Sequence, residues 1–339
     1  MKMNDPDISN VKYSPARSGA PDLICIGAAL VDSIIRGFDP VPVSASGFTA
    51  ASGSLGAGGE AVNEAMAAAK LGLKTSILCH LGNDGAGDMI RHALEKTGVS
   101  TGLILLSDEV PTPVTTMFVN EDGSRKSVTN GSHRYNFHPE NHIDSLAGAR
   151  AVSLGSLFRA PFDDPGIIYK VISGASGHTD SAGGRTYVFA DTKLPNFTRL
   201  TLDDINDSLP LIDYITPNED EAGYYSGKDT PEEMADVFLD HGVKNVIIKL
   251  GAKGCYFKNA GSEFRLPPYS IKAVDATGAG DNFIAGFIFS ILNGSSDYDA
   301  LRFANACGAI CTMATGASAG LKNAAQVKAF MNTEPPAES

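Results

Sequence analysis

The chain has 339 residues, 43% of them hydrophobic, and a formal net charge of −12. That length and apolar content can bury a large core, and no run of ~18 apolar residues is present to span a membrane. The acidic balance argues against a nucleic-acid groove, which needs clustered Lys and Arg, so neither nucleic acid nor membrane is an expected partner.

From the N-terminus, residues 1–21 are polar, lack the apolar centre of an export signal and read as a tail, which makes the cytoplasm the default location. Apolar strand-like runs at 23–27, 75–79, 150–154, 187–191, 212–216 and 245–250 then alternate with segments of helical period near 61–71, 86–96, 232–240, 279–292 and 298–313. Such alternation predicts an α/β protein with a largely parallel sheet and helices on both faces. Two stretches break the rule. Residues 33–54 have little helical period, and 112–119 and 124–129 flank Asn120-Glu121-Asp122-Gly123 as a hairpin with an Asp-Gly turn. Together, 33–54 and 112–130 predict a small separate sheet. The Gly- and Ser-rich segment 173–185 reads as a flexible loop of no assigned role, and 332–339 as a polar tail.

Five cysteines, Cys25, Cys79, Cys255, Cys307 and Cys311, are scattered, odd in number and set mostly in apolar runs, so they read as reduced core thiols. Cys307 and Cys311 share a helix face, but no His stands at metal-site spacing, which favours packing over zinc.

The most informative stretch is Asp275-Ala276-Thr277-Gly278-Ala279-Gly280-Asp281. Tyr269 to Val274 reads as a short strand before it, and Phe283, Ile284, Phe287, Ile288 and Ile291 recur at helical spacing after it, so a helix begins near Ala279. Gly278 and Gly280 allow close backbone approach, and the first N–H groups of the helix, with its dipole, favour an anion such as a transferring phosphoryl group. Asp281 falls in the first turn. A carboxylate beside an anion hole suits proton removal from an attacking hydroxyl. The plainer reading is a Gly-rich turn with a favourable first-turn Asp.

This heptad resembles the C-terminal signature of the ribokinase/PfkB family of carbohydrate kinases, and a second match lies early in the chain. Gly56-Ala57-Gly58-Gly59-Glu60-Ala61-Val62-Asn63 is similar to the family's Gly-Gly-x-x-x-Asn signature, in which glycine amides and the Asn side chain reach sugar hydroxyls. A dinucleotide fingerprint would follow the first strand directly, and here that strand leads into Ala28-Ala29-Leu30-Val31-Asp32. No Gly-x-x-x-x-Gly-Lys-[Ser/Thr] loop occurs.

The resemblance spans about residues 22–331 as one kinase domain and implies a three-layer α/β/α sandwich with the small sheet as a lid over the sugar, which also pairs two subunits. It implies an ATP-dependent sugar kinase that moves the γ-phosphoryl group to a hydroxyl of a small carbohydrate. Asp281 is then the base, and Gly278, Ala279 and Gly280 form the anion hole. Asn218 and Glu221, in Asn218-Glu219-Asp220-Glu221, match an element that holds magnesium and its waters, although a helix cap explains the same spacing. The run Val246 to Gly251, with Lys249, and the turn Gly251-Ala252-Lys253-Gly254 border ATP in the family, and Asn305 matches a residue near the adenine. Some members hold a monovalent cation such as potassium near the anion hole. Asp275, Thr277 and the 315–317 loop match those positions.

On the acceptor side, Asp32 matches a carboxylate that grips sugar hydroxyls, with Gly58, Gly59 and Asn63 beside it. Arg159, Asp191 and Lys193 follow predicted strands, at the edge where open α/β sheets bind ligands. Lys193 suits phosphates or an acidic sugar group. Two departures from the family pattern, Glu60 where many members carry Lys and Asp191-Thr192-Lys193 in place of Asp-x-Asn, are expected outside the catalytic core and leave the sugar open. A nucleoside kinase is the alternative, with Phe38, Phe48 and Phe118 as stacking partners. A catalytically silent binding module is another, against which the intact Asp281 and Gly-rich turn count.

Overall fold

The computed structural model of the chain describes residues 19–36, 50–119, 125–130, 136–180 and 182–333. In chain order the elements are β1 (Leu23–Ile26), β2 (Leu30–Arg36), β3 (Ser52–Gly58), α1 (Glu60–Leu71), β4 (Thr75–Leu78), β5 (His80–Gly82), α2 (Gly85–Thr97), β6 (Leu105–Ser107), β7 (Val114–Val119) and β8 (Arg125–Thr129). There follow β9 (Ala151–Leu157), α3 (Pro165–Gly177), β10 (Tyr187–Thr192), β11 (Tyr214–Ile215), α4 (Glu219–Ser226), α5 (Pro231–Asp240), β12 (Asn245–Lys249), β13 (Cys255–Asn259), β14 (Glu263–Leu266), α6 (Ala279–Leu292), α7 (Asp297–Thr312) and α8 (Ala324–Thr333).

Eight strands form the main sheet in the order β14-β13-β12-β11-β10-β9-β1-β4. The six from β4 to β12 run parallel, and β13 and β14 close one edge as antiparallel neighbours. β1 shows why both faces are covered: Leu23 and Cys25 enter one core with α1, α6 and α7, while Ile24 and Ile26 enter the other with α3 and α5. All four are fully buried, so the strand reads as an unbroken apolar run instead of an alternation. Among the described residues, no helix is long and apolar enough to cross a membrane.

A second, four-stranded sheet has the order β3-β2-β7-β8. It begins earlier and ends later than the sequence suggests, because Leu30 pairs with Gly58 and Asp32 with Gly56 along an unbroken register. Asp32 therefore belongs to this sheet and not to the end of β1. Residues 37–49 and 120–124, with Phe38, Phe48 and the Asp122-Gly123 turn, lie outside the described residues, as do 1–18 and 334–339.

Three local expectations change. Tyr269 to Val274 is not a strand; beyond a single bridge at Tyr269 the backbone is irregular, and Val274 and Asp275 donate their amides to Thr312 O at the end of α7. Buried and exposed side chains do not alternate there either, since Lys272, Ala273 and Val274 are all exposed. Residues 173–177 form the end of α3, anchored by buried Val171, Ile172 and Ala175, and the remainder of the supposed loop is tied by Asp180, which accepts from the amides of Ala182 and Gly184. Residues 332–333 of the expected C-terminal tail belong to α8.

Candidate active site

The parallel strands end along one edge, and the residues singled out from the sequence gather beyond it. Two helix N-termini complete the cleft. Gly59, at φ 100°, precedes α1 in a conformation that would drive a Cβ into the Ala28 carbonyl. Gly278, at φ 76°, precedes α6, where a Cβ would come 2.5 Å from that of Ala317. Only glycine fits either place.

α6 has no side-chain cap, so its first turn keeps amides for an anion. The Ala279 amide, expected among them, instead donates to Ala276 O at 3.2 Å, because the turn closes on itself before the helix starts. Lys249 brings positive charge to the same spot: its Nζ lies 3.5 Å from where a Cβ on Gly280 would be, and it donates to Asp191 Oδ1 at 2.6 Å. Thr216 Oγ1 donates to that same oxygen at 3.1 Å.

Asp281 is 9% exposed. Asn63 Nδ2, from α1, donates to its Oδ2 at 2.8 Å, which joins the two Gly-rich signatures across the cleft. Burial, with the Glu60 carboxylate second, pushes the Asp281 carboxyl up to about 7, against the pull of Lys193 and Asn63. A carboxyl so placed can take and release a proton near neutral pH.

Asp32, on β2, lies directly over Gly58, and burial with the Glu60 charge raises it to about 6. Glu60 and Lys193, which belong to the two departures, Glu60 and Asp191-Thr192-Lys193, expected outside the catalytic core, meet there: Lys193 Nζ is 3.1 Å from Glu60 Oε1, and Ser156 Oγ donates to Glu60 Oε2 at 2.9 Å. Burial opposes charge on both. The ammonium nevertheless holds Glu60 below its ordinary range, and Glu60, Asp191, Asp281 and Glu221 hold Lys193 above its own. One turn further along α1, Glu64 is 1% exposed, accepts from Ser153 Oγ at 2.6 Å, and is raised by burial to about 8. Nothing in the motifs singles out Glu64 or Ser156. Their i,i+4 and strand-end positions are visible in the sequence, but which face turns inward is not.

Asn218 and Glu221 form a capping box on α4: Glu221 N donates to Asn218 Oδ1 at 2.9 Å and Asn218 N to Glu221 Oε2 at 3.0 Å. Thr192 Oγ1 adds a bond to Oε2 at 2.9 Å, while Oε1 takes part in none of these. Burial and Asp191 raise the Glu221 carboxyl. Arg159 Nε donates to Leu194 O at 2.7 Å and braces the loop after β10. Gly251 and Gly254 make the tight turn between β12 and β13. Asn305 lines a cavity of about 240 Å³ with Leu266, Pro267, Tyr269, Tyr298 and Arg302.

Behind the turn that precedes α6, Asp275 Oδ1 accepts from Thr277 N and Oγ1, and Oδ2 from Gly316 N and Arg36 Nη2, the last at 3.1 Å. Asn282 Nδ2 donates to Gly278 O and Ala317 O, both at 2.8 Å, and Lys70 Nζ to Ser318 O. Arg36, Lys70 and Asn282 were not anticipated as parts of this region.

The chain is 29% identical to a 2-dehydro-3-deoxygluconokinase of Bacillus subtilis (strain 168) over 292 residues, covering 83% of this chain and 88% of that one. It is 31% identical to a ribokinase of Staphylococcus aureus (strain COL) over 274 residues, or 78% and 84% of the two chains. The structure of Arabidopsis thaliana ribokinase complexed with ribose and ATP superimposes with a TM-score of 0.78 at 26% identity, covering 92% of this chain and 99% of that one. The model of the pfkB family carbohydrate kinases matches residues 20–324. The chain thus belongs to the pfkB family, with the ribokinase fold, and is a sugar or nucleoside kinase, a phosphotransferase with an alcohol group as acceptor.

Proposed function

We propose that the chain transfers the γ-phosphoryl group of ATP to a hydroxyl of a small carbohydrate, with Asp281 as general base. The observation that carries this reading is the buried Asp281 carboxyl, held by Asn63 and raised to about 7, in the first turn of an uncapped helix. Its Oδ2 is engaged by Asn63, so Oδ1 serves the acceptor proton. First-turn amides of α6 and the Lys249 ammonium would stabilise charge on the transferring group, and the close fit of Gly278 against Ala317 holds that turn in place. Asp32 and Asn63 position the acceptor hydroxyls.

Magnesium, when bound, would neutralise charge on the phosphates. Asn218 and Glu221 fit it through water: Glu221 keeps Oε1 outside the capping box, and magnesium takes few protein oxygens and retains several waters. A monovalent ion fits less well. Both Asp275 oxygens and the carbonyls of Gly278, Ala317 and Ser318 already accept from protein donors, and Arg36 supplies a positive charge.

The small sheet, which carries Asp32 beside Gly58, would act as a lid that keeps water from the phosphoryl group. It also exposes Leu55 and Val128, and we infer that it pairs two copies of the chain; a monomer mass by light scattering would contradict the pairing. ADP release with magnesium over ketoses, aldoses and nucleosides tests the activity itself. Release above the acceptor-free rate with one acceptor supports phosphotransfer, and a rate that no acceptor raises counts against it.

A further inference from the structure

The acceptor end of the cleft carries three carboxyl groups, Asp32, Glu60 and Asp281, and one ammonium, Lys193. Their proximity shows in the influence of Glu60 on both Asp32 and Asp281 and of Lys193 on Asp281. The Lys193 charge is already balanced within the protein, because Glu60 Oε1 lies 3.1 Å away. Ser156 fixes the other Glu60 oxygen at 2.9 Å, so the carboxylate cannot swing aside without losing a second bond. Side-chain exposures of 28% for Glu60 and 30% for Lys193 bring both to the cleft surface.

An independent observation points to the same ligand chemistry. Among the described residues, Asn63 Oδ1 is buried without a hydrogen-bond partner, beside Asp281. An orphaned acceptor next to carboxylates needs a donor. Hydroxyl groups supply one, and they also accept from Lys193. A carboxylate or dianionic phosphate supplies none, and its charge would lie against those of Glu60, Asp32 and Asp281, with the Lys193 ammonium already balanced by Glu60.

On the phosphotransfer reading above, we infer that the acceptor is an uncharged polyhydroxyl compound, and that Glu60 excludes anionic acceptors by holding Lys193 and presenting its own charge. Glu60 and Lys193 are then specificity-determining residues contributed by α1 and by the loop after β10.

The test compares wild type, Glu60→Gln and Lys193→Met, each with magnesium-ATP, on D-ribose and D-fructose and on the anionic probes D-ribonate, ribose 5-phosphate and 2-dehydro-3-deoxygluconate. ADP release gives kcat/KM, and calorimetry gives affinity. Wild type should prefer the neutral acceptors, Glu60→Gln should bind D-ribonate about tenfold more tightly than wild type does, and Lys193→Met should bind it more weakly. An anionic probe used or bound by wild type at least as well as the neutral ones overturns the inference. So does an unchanged D-ribonate affinity in Glu60→Gln. Failure of every acceptor to raise ADP release would strike the phosphotransfer reading alone, because the calorimetric comparison of the variants needs no turnover.

Discussion

The carboxyl of Asp281 titrates near the middle of the working range, and this makes its role measurable. Raised to about 7 by burial and by Glu60, it is a base only when ionised, so kcat/KM should rise with pH through about 7 and level off above. Removing the Glu60 charge should move that limb to lower pH, both because the repulsion is lost and because Lys193 is released to act on Asp281. A pH–rate profile of Glu60→Gln with an unshifted limb would separate Asp281 from the observed acid step. Glu64 gives a second prediction, this one on stability. Its folded-state pKa of about 8 exceeds the ordinary 4.5, so between these values the native chain holds a proton that the unfolded chain has lost. Stability must then fall as pH rises across that window, by up to about 1.4 kcal/mol per pH unit from this group alone. Urea denaturation at pH 5 and pH 8 should show a smaller drop for Glu64→Gln than for wild type; equal drops would mean that Glu64 is ionised in the native state. Asp281, Asn63 and Asn218 were legible from motif spacing. The Glu60–Lys193 pair was not, since its members stand out singly as departures and only the fold brings the start of α1 against the loop after β10.

At the scale of elements, what could be read followed from burial. β1, β9, β10 and β12 are covered on both faces and announce themselves as apolar runs, and α1, α6 and α7 as Ala- or Phe-rich helical periods. Tyr269 to Val274 misled because β-prone residues there meet no neighbouring strand, and the end of α3 was hidden by Gly and Ser whose low helix propensity is outweighed by packing of Ile168, Val171 and Ile172. The turn from Asp275 to Gly278 carries a prediction of its own. With its oxygens bonded to Arg36, Thr277 and Asn282, and Ser318 O of the neighbouring loop bonded to Lys70, turnover in potassium chloride and in tetramethylammonium chloride should agree within about twofold, since no cation need be added to fix the turn. A saturable, potassium-specific rise in turnover or in Tm would show that the ion displaces these donors.

For the whole molecule, on the proposed reading, the arrangement of two sheets joins acceptor binding to protection from water. β2 carries Asp32 against Gly58 at one end and Arg36, paired with Asp275, at the other, so the small sheet touches both the turn before α1 and the turn before α6. Binding of a neutral sugar with magnesium-ATP should therefore slow amide exchange in β2, β3 and β7, while leaving α3, packed in the opposite core of the main sheet, unchanged; exchange that slows nowhere in the small sheet would rule out its closing over the acceptor. The separate sheet was legible as a break in strand–helix alternation, but its true extent depended on long-range pairing of Leu30 with Gly58 that no local pattern shows. Everything in the cleft turns on whether Asp281 removes the acceptor proton. The decisive experiment follows phosphoryl transfer from ATP to the best neutral acceptor with wild type and Asp281→Asn, with thermal unfolding of both. Turnover should fall by roughly two to four orders of magnitude at unchanged Tm; a variant that turns over at the wild-type rate would remove Asp281 from the role of base.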